Sequence, residues 1–502
     1  MSNDGELPDG WTTAALSELV ADDGIFCDGD WVETKDQDPN GDVRLTQLAD
    51  IGDGAFLNKS RRYLTAESAE RLGCTFLEAN DVLIARMPDP LGRACIFPGD
   101  DLPCVTAVDI AIVRPGTSEI SPRWLMWFVN SPEFRANVAA LQSGSTRKRI
   151  SRRNLATIQL PVPPPAEQRR IADRIEELFS ILDSGVASAQ RVLTNLQRYR
   201  AAVLKAAVAG ELTSEWRAEH PETEPASELL ERILEDRREA WEQEQLEKYA
   251  EKGKEPPKNW KNRYKEPEPP DVHGLPELSE GWAWATVQQL ADVQGGIQKQ
   301  PNRAPKSNAY PYLRVANVRR GHLDLDQIEY MELFGDEIDR LRLRPGDLLV
   351  VEGNGSRDQI GRSAVWLGEI DDCVHQNHII RVRPMGVSSR YLDYYWNSPE
   401  GMMRAIEVSA STSGLYTLSV TKVNALPVPV PPLDEQTEVV AEVERRLSVI
   451  DEIEKEVDGG LKRAERLRQA ILKKAFEGRL VPQDRDDEPA SVMPGKTRTA
   501  GA

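Results

Sequence analysis

One segment of this 502-residue chain is written twice, and both copies open a helix too long to belong to an ordinary small domain. From Leu160 the sequence runs LPVPPPAEQRRIADRIEELFSILD, and from Val428 it runs VPVPPLDEQTEVVAEVERRLSVID. An offset of 268 residues relates Glu167 to Glu435 and holds without a gap through Asp183/Asp451, Leu204/Leu472, Ala207/Ala475 and Gly210/Gly478. Pro161 and Pro163–Pro165, like Pro427, Pro429, Pro431 and Pro432, hold the entry extended, because proline fixes φ and drives the preceding residue out of the α region. No further proline follows until past Gly210 or Gly478, so each copy starts sharply and then runs.

The apolar residues within each run recur as a heptad. In the first, Ile175, Leu182, Ala189, Leu196 and Val203 repeat every seven residues, with Ile171, Leu178, Val192, Tyr199 and Ala206 on a second seam. In the second, Val443, Ile450, Val457, Ala464 and Ile471 form one seam and Val439, Ile453 and Leu467 the other, which Arg446 and Lys474 interrupt. At 1.5 Å rise, helices of about 42 residues are about 63 Å long. Two such helices bury their stripes most simply against one another, as an antiparallel coiled coil with a globular domain at each end. Gly185 and Gly459-Gly460 weaken the helices by about 1 kcal/mol each and mark bends or close approaches.

The repeat extends upstream, which makes the chain two tandem units. LPDGW at Leu7–Trp11 is answered by LSEGW at Leu278–Trp282, NDVLIA from Asn80 by GDLLVV from Gly346, and Asn130-Ser131-Pro132-Glu133 by Asn397-Ser398-Pro399-Glu400. The reading is α+β, with globular domains at 1–160 and 278–428, long helices at 161–213 and 429–482, a charged linker at 214–277 and a disordered tail at 483–502. Short β-rich runs bounded by Gly, Pro and Asp build each globular domain. One helix in each, Pro122–Leu141 and Ser389–Val408, packs its aromatics on the sheet. In the linker, Ser227 caps a helix to about Tyr249 with Leu230, Leu234, Trp241 and Leu246 on one side, and Lys254–Pro270 forms an extended tether that carries the chain some 60 Å to its second domain.

The net charge of −19 would disfavour a polyanion ligand if it were spread evenly, but it is not. Residues 1–56 hold a net −12 and residues 214–281 a net −8, leaving the remainder close to neutral. No run is long and apolar enough to span a membrane, and the acidic start is unlike a signal peptide, so a cytoplasmic protein is expected. Five cysteines without a Cys-x-x-Cys pair predict buried free thiols rather than disulfides or a zinc site.

No catalytic motif is present: there is no phosphate-binding Gly-Lys-Ser/Thr loop, no dinucleotide fingerprint and no amino-methyltransferase tetrapeptide. His375 and His378 form the one histidine pair, with no neighbouring ligand in sequence to make a metal site. Groups suited to DNA are plentiful. Arg147, Lys148, Arg149 and Arg152 lie in STRKRISRR, Arg86 and Arg93 flank the loop after VLIA, and Lys299, Arg303, Arg314, Arg319, Arg320, Arg357 and Arg362 occupy the second unit. Gln376 and Asn377 have the side-chain amides that read adenine, and arginine has the fork that reads guanine.

Two divergent domains, each followed by a helix opened by Pro164-Pro165-Ala166-Glu167-Gln168 or Pro432-Leu433-Asp434-Glu435-Gln436, together with the Gly-Trp openings, resemble the specificity subunit of type I restriction-modification systems over nearly the whole chain. The resemblance implies one target recognition domain for each half of a split, asymmetric double-stranded DNA sequence, with the helices as the spacer. It also implies two methyltransferase subunits carrying S-adenosylmethionine and restriction/translocase subunits using ATP and Mg2+, with no cofactor held by this chain and no catalysis of its own. A non-catalytic coiled-coil scaffold that touches no DNA, a subunit of a related multisubunit restriction-modification type and a nuclease with an unrecognised site are the competing readings. If the helices are a ruler, inserting a matched heptad of about 10 Å into both lengthens the tolerated DNA spacer by about three base pairs, measured by methylation of substrates of graded spacing. An unchanged spacer refutes the ruler.

Overall fold

The computed structural model describes residues 7–88, 90–144, 148–354, 356, 359–412 and 415–493, in two compact units. One unit comprises the chain up to Arg191 together with the stretch from Val457 onward, and the other runs from Val192 to Glu456. Both long helices, Pro165–Val208 and Leu433–Phe476, are therefore shared, the opening half of each belonging to one unit and the closing half to the other.

The same topology is built twice. In the first unit a four-stranded antiparallel sheet has the order Ile25–Asp28, Ile110–Arg114, Val82–Ala85, Ala94–Ile96, and in the second it has Ala291–Gly295, Ile379–Pro384, Leu348–Val351, Ser363–Val365. The continuous Val/Ile/Leu runs predict sheets covered on both faces, and all four residues of Val82–Ala85 and of Leu348–Val351 are buried. A three-stranded mixed sheet stands beside each: Tyr63–Leu64, Val43–Thr46, Cys104–Thr106, and Glu329–Glu332, Ala309–Leu313, Val374–His375. A two-stranded ribbon joins each domain's first strand to the proline-rich entry of its long helix, Thr12–Ala15 with Gln159–Val162 and Ala283–Thr286 with Pro427–Val430.

The Glu-Gln dipeptide has a physical reason in these contacts. Glu167 is 1 % exposed and accepts the indole N–H of Trp11 at 3.0 Å, as Glu435 accepts that of Trp282 at 2.9 Å. Gln168 accepts the backbone N–H of Ser121 at 2.8 Å and donates to Pro163 O at 3.0 Å; Gln436 treats Ser388 and Pro431 in the same way. One dipeptide thus ties the domain's opening tryptophan, the proline entry and the aromatic helix to the start of the long helix.

Within each unit the two long-helix halves run antiparallel. Asp183 pairs with Arg468, whose guanidinium lies 4.1 Å from the Phe179 ring centroid, and Arg200 reaches Asp451 and, at 3.1 Å, Glu454. Ile175 and Ile471 sit in the first unit's core with Leu182 against it, and Val203 and Val443 in the second's. Ile450 is buried, whereas Leu196 and Val457 are only half-buried. The second seam is followed only where a domain core covers it: Ile171 and Val439 are buried and Leu178 packs on the first unit's core. Val192, Tyr199, Ile453 and Leu467 are exposed, because the aromatic helices and domain cores cover only one side of each pair. Arg446 and Lys474 lie off the buried stripe; Arg446 and Arg445 pair with Glu442 and hold its carboxyl down to about 2.

Several expectations are corrected. Each aromatic helix is two, Pro122–Val129 with Pro132–Leu141 and Ser389–Asn397 with Pro399–Val408, because Ser131 and Ser398 cap a new start ahead of a proline. The linker helix spans Ala226–Glu251 with Pro225, not Ser227, at its N-cap, and it buries Ala226, Leu229 and Ile233. The expected tether folds back instead: Trp260 stacks on Trp241 with centroids 5.9 Å apart, Tyr264 packs beside them, and Glu268 O accepts the Thr286 hydroxyl. No long traverse is needed, since Ser279 Oγ donates to Ala209 O at the end of the first long helix, whose Val203, Leu204, Ala207 and Val208 enter the second domain's core. The tail is ordered through Met493. Gln483 donates to Glu167, Arg170 pairs with Asp487, and Ala490 N donates to Gly10 O just as Ala226 N donates to Gly281 O. The shared Glu-Pro-Ala-Ser sequence at 224–227 and 488–491 carries that second match.

Two buried groups in the second unit titrate in opposite senses. Burial holds His375 down to about 4 and pushes Asp393, bonded to Ser363 and Asn397, up to about 7. A depressed histidine makes stability rise with pH between about 4 and its unfolded value; a raised carboxyl makes it fall between its unfolded value and about 7. Asp393→Asn removes the second effect, so the melting-temperature difference between variant and wild type is expected to grow in the variant's favour from pH 4 to pH 7. A constant difference contradicts the assignment.

Candidate nucleic-acid interface

At one end of each four-stranded sheet the chain passes through three strand ends that lie side by side. In the first unit these are Asp28, Asp109 and Arg86, and in the second Gly295, His378 and Glu352. The backbone is held identically: Arg86 N donates to Asp109 O and Glu352 N to His378 O, both at 2.9 Å. A loop then crosses each rim, with Ile150 N donating to Arg86 O and Leu418 N to Glu352 O. In the first unit that loop is pinned by a Ser143–Arg149 bridge; in the second it is a hairpin of Ala410–Thr412 with Leu415–Thr417. A glycine follows the first strand end of each rim, Gly29 after Asp28 and Gly296 after Gly295, where a Cβ would come within 2.3 Å of Ala107 O or of Gln376 O and His375 O.

The framework behind the rim repeats side chain for side chain. Arg93 Nε and Nη2 donate to Ile51 O and Leu48 O, and Arg362 Nε and Nη2 donate to Val318 O and Val315 O. Asn130 bonds Ala94 in both directions as Asn397 bonds Ser363, and Asp81 holds Arg114 as Asp347 holds Arg383. Arg93 and Arg362, DNA-facing candidates by sequence, are 8 % and 7 % exposed and serve as internal struts.

The other candidates divide by their partners. Lys148 and Arg149 are exposed on the crossing loop, and no ion pair engages them among the described residues; Arg147 and Arg357 lie outside the described residues. Arg152 donates to Phe26 O and approaches Asp28 at 3.8 Å, and Arg86 approaches the same carboxylate at 3.3 Å. Arg303 is clamped by Glu337 at 2.8 and 2.9 Å, which fixes it in the domain. Lys299 and Arg314 converge on Glu329, whose carboxyl they and Tyr312 hold below its ordinary value. Arg319 pairs with Asp324 at 3.3 Å, and Arg320 donates to Asn397. Gln376 and Asn377 are half-buried beside the rim, and among the described residues their side-chain amides make no hydrogen bond.

His375 and His378 do not form a site. His375 is fully buried with Nδ1 at 3.0 Å from Ile379 O, whereas His378 is exposed and pairs with Glu352 at 3.3 Å. Among the described residues no cluster of three or more potential metal ligands occurs. Asp28, Asp109 and Glu352 escape a sequence reading that looks for cations and amides. Placing RMP after VLIA against EGN after LLVV exposes the exchange of Arg86 for Glu352 directly.

The sequence model of the "Type I restriction modification DNA specificity domain" matches residues 8–186. The chain is similar to the type I restriction enzyme EcoKI specificity subunit of Escherichia coli K12, at 28 % identity over 77 % of this chain and 71 % of that one. It is also similar to the StySPI specificity subunit of Salmonella potsdam, at 26 % identity over 99 % of this chain and 95 % of that one. A solved chain described under complex assembly and conformational transition of the type I R-M system shares the fold, with a TM-score of 0.61, 18 % identity and coverage of 95 % of this chain and 100 % of that one. Doubled domain, doubled helix and these likenesses all indicate a specificity subunit of a type I restriction-modification system.

Proposed function

We propose that this chain is the non-catalytic DNA-reading subunit of a type I restriction-modification complex, each unit reading one half of a split, asymmetric target. The observation that carries this is the repetition itself: two equivalent readers on matched helices, alike in framework and unlike at the strand-end rim. Two readers of one framework suit two major-groove contacts on one duplex, and unlike rims suit two unlike half-sites. Lys148 and Arg149 serve phosphate contacts, which position a reader without selecting a sequence.

Apolar side chains left exposed on the helix pairs, on and beside the second seam, supply the docking surface for the methyltransferase subunits. Ile181 and Leu467 are exposed by 64 and 50 % on the first unit's helix pair, and their equivalents under the 268-residue offset, Val449 and Tyr199, by 52 and 49 % on the second's. Side chains of that size left in water twice, at matched positions, are a surface awaiting a partner. One methyltransferase subunit on each patch gives two per chain, and they bring S-adenosylmethionine. Restriction/translocase subunits complete the complex and supply the ATP and Mg2+ chemistry.

Two experiments test this reading. Arg147→Ala, Lys148→Ala and Arg149→Ala combined are expected to weaken binding across DNA sequences and to flatten the dependence of log affinity on log salt by up to three contacts. Unchanged affinity and slope remove the loop from the interface. Ile181→Glu with Leu467→Glu is expected to leave a complex with one methyltransferase subunit by native mass spectrometry, as is Val449→Glu with Tyr199→Glu. Retention of both subunits by either variant contradicts the docking assignment.

A further inference from the structure

The two rims are built on the same framework, so each position can be compared across the chain, and the largest chemical contrast is at Arg86 and Glu352. Backbone bonds fix the two at the same address. Beyond Arg86 N to Asp109 O and Glu352 N to His378 O, the loop that leaves each closes the same way, Gly92 N donating to Ala85 O and Gly361 N to Val351 O. The struts behind them are the same residue types: Arg93/Arg362, Asp81-Arg114/Asp347-Arg383, Asn130/Asn397. The backbone and its struts are kept at this position while the charge it presents is inverted.

The neighbours of each change with it. Arg86 stands against Asp28 at 3.3 Å with Arg152 on the far side of that carboxylate, and Arg86 also donates to Val108 O. Arg86 Nε and Asp28 Oδ1 are both buried and face each other at 3.3 Å without forming a hydrogen bond. In the second unit Glu352 is backed by His378, the place of Asp28 is taken by Gly295, and that of Arg152 by Val420, whose methyl is 3.8 Å from where a Gly295 Cβ would lie. Arg86 and Glu352 are 14 and 28 % exposed, held by neighbours yet open to a ligand, and the crossing loop that carries Lys148 and Arg149 bonds directly to Arg86 O.

We propose that Arg86 and Glu352 are equivalent base-selecting residues, Arg86 presenting its fork to guanine in one half-site and Glu352 accepting the amino group of cytosine in the other. An arginine fork matches the O6 and N7 acceptors of guanine, and a carboxylate takes the N4 donor of cytosine but is repelled by an acceptor edge. The inference rests on the reading of the two units as half-site readers. It adds that one structural position, filled by opposite chemistry, contributes to making the target asymmetric.

Methylome sequencing of cells carrying the full complex with Arg86→Ala, Arg86→Lys or Glu352→Gln tests it. With Arg86→Ala, one G·C position in one half-site is expected to lose about tenfold or more of its discrimination while the other half stays fixed. Arg86→Lys recovers part of that preference, since the ammonium still donates to guanine but without the fork. Glu352→Gln is expected to relax a G·C position in the opposite half. The proposal is overturned if folded variants, judged by unchanged melting, leave both halves intact, lower methylation uniformly with the motif preserved, or relax an A·T position. A wild-type chain that yields no split motif overturns the half-site reading itself, a separate outcome.

Discussion

The structure depends on one buried carboxylate used twice. Glu167 and Glu435 stand at the first turn of the long helices, each taking an indole N–H from the tryptophan that opens its own domain. Each is completed by the segment that follows the other long helix, Gln483 for Glu167 and Thr213 with Arg217 for Glu435. A carboxylate left unpaired in such a setting costs several kcal/mol, so the helix start, the domain opening and the returning segment are obliged to meet. The two solutions differ in charge. Arg217 lies 2.7 Å from Glu435, whereas Glu167 has neutral donors and burial raises its carboxyl above the ordinary value.

This constraint explains how much of the fold is legible in the sequence. Helix entries, heptads and the doubled unit can be read because proline, seven-residue periodicity and a fixed offset are local signals. The break in each aromatic helix is harder to see beneath a continuous aromatic run, although Ser-Pro at Ser131-Pro132 and Ser398-Pro399 is itself a start signal. The exposed part of the second seam is not legible, because a heptad says which side chains share a stripe and not whether the same chain covers that stripe. Composition points the wrong way in the tail. Asp484, Asp486 and Asp487 give it the character of a solvated end, yet Asp487 is spent on Arg170, and the Glu-Pro-Ala-Ser shared with the linker is the signal of order.

Acidic residues in the first domain are largely structural. Asp23, Asp30, Asp36, Asp42 and Asp50 each accept a backbone N–H, and Asp50 accepts three. Short carboxylates at turns satisfy donors that a loop-rich domain would otherwise leave open. The negative charge is therefore compatible with a DNA-reading surface elsewhere on the same domain. The site is half legible for a related reason. A cationic loop announces itself in sequence, but Arg93 and Arg362 look identical to DNA-facing arginines until their carbonyl partners are seen, and an acidic rim residue such as Glu352 is hidden by the expectation that DNA readers are basic.

The central claim is that one chain carries two unlike readers of one DNA target. The most direct measurement is the methylome of cells expressing this chain with its methyltransferase subunits. The account predicts a motif of two unlike halves separated by unread bases, present only when this chain is present. Methylation at an unbroken motif, or the same motif after this chain is deleted, would contradict it.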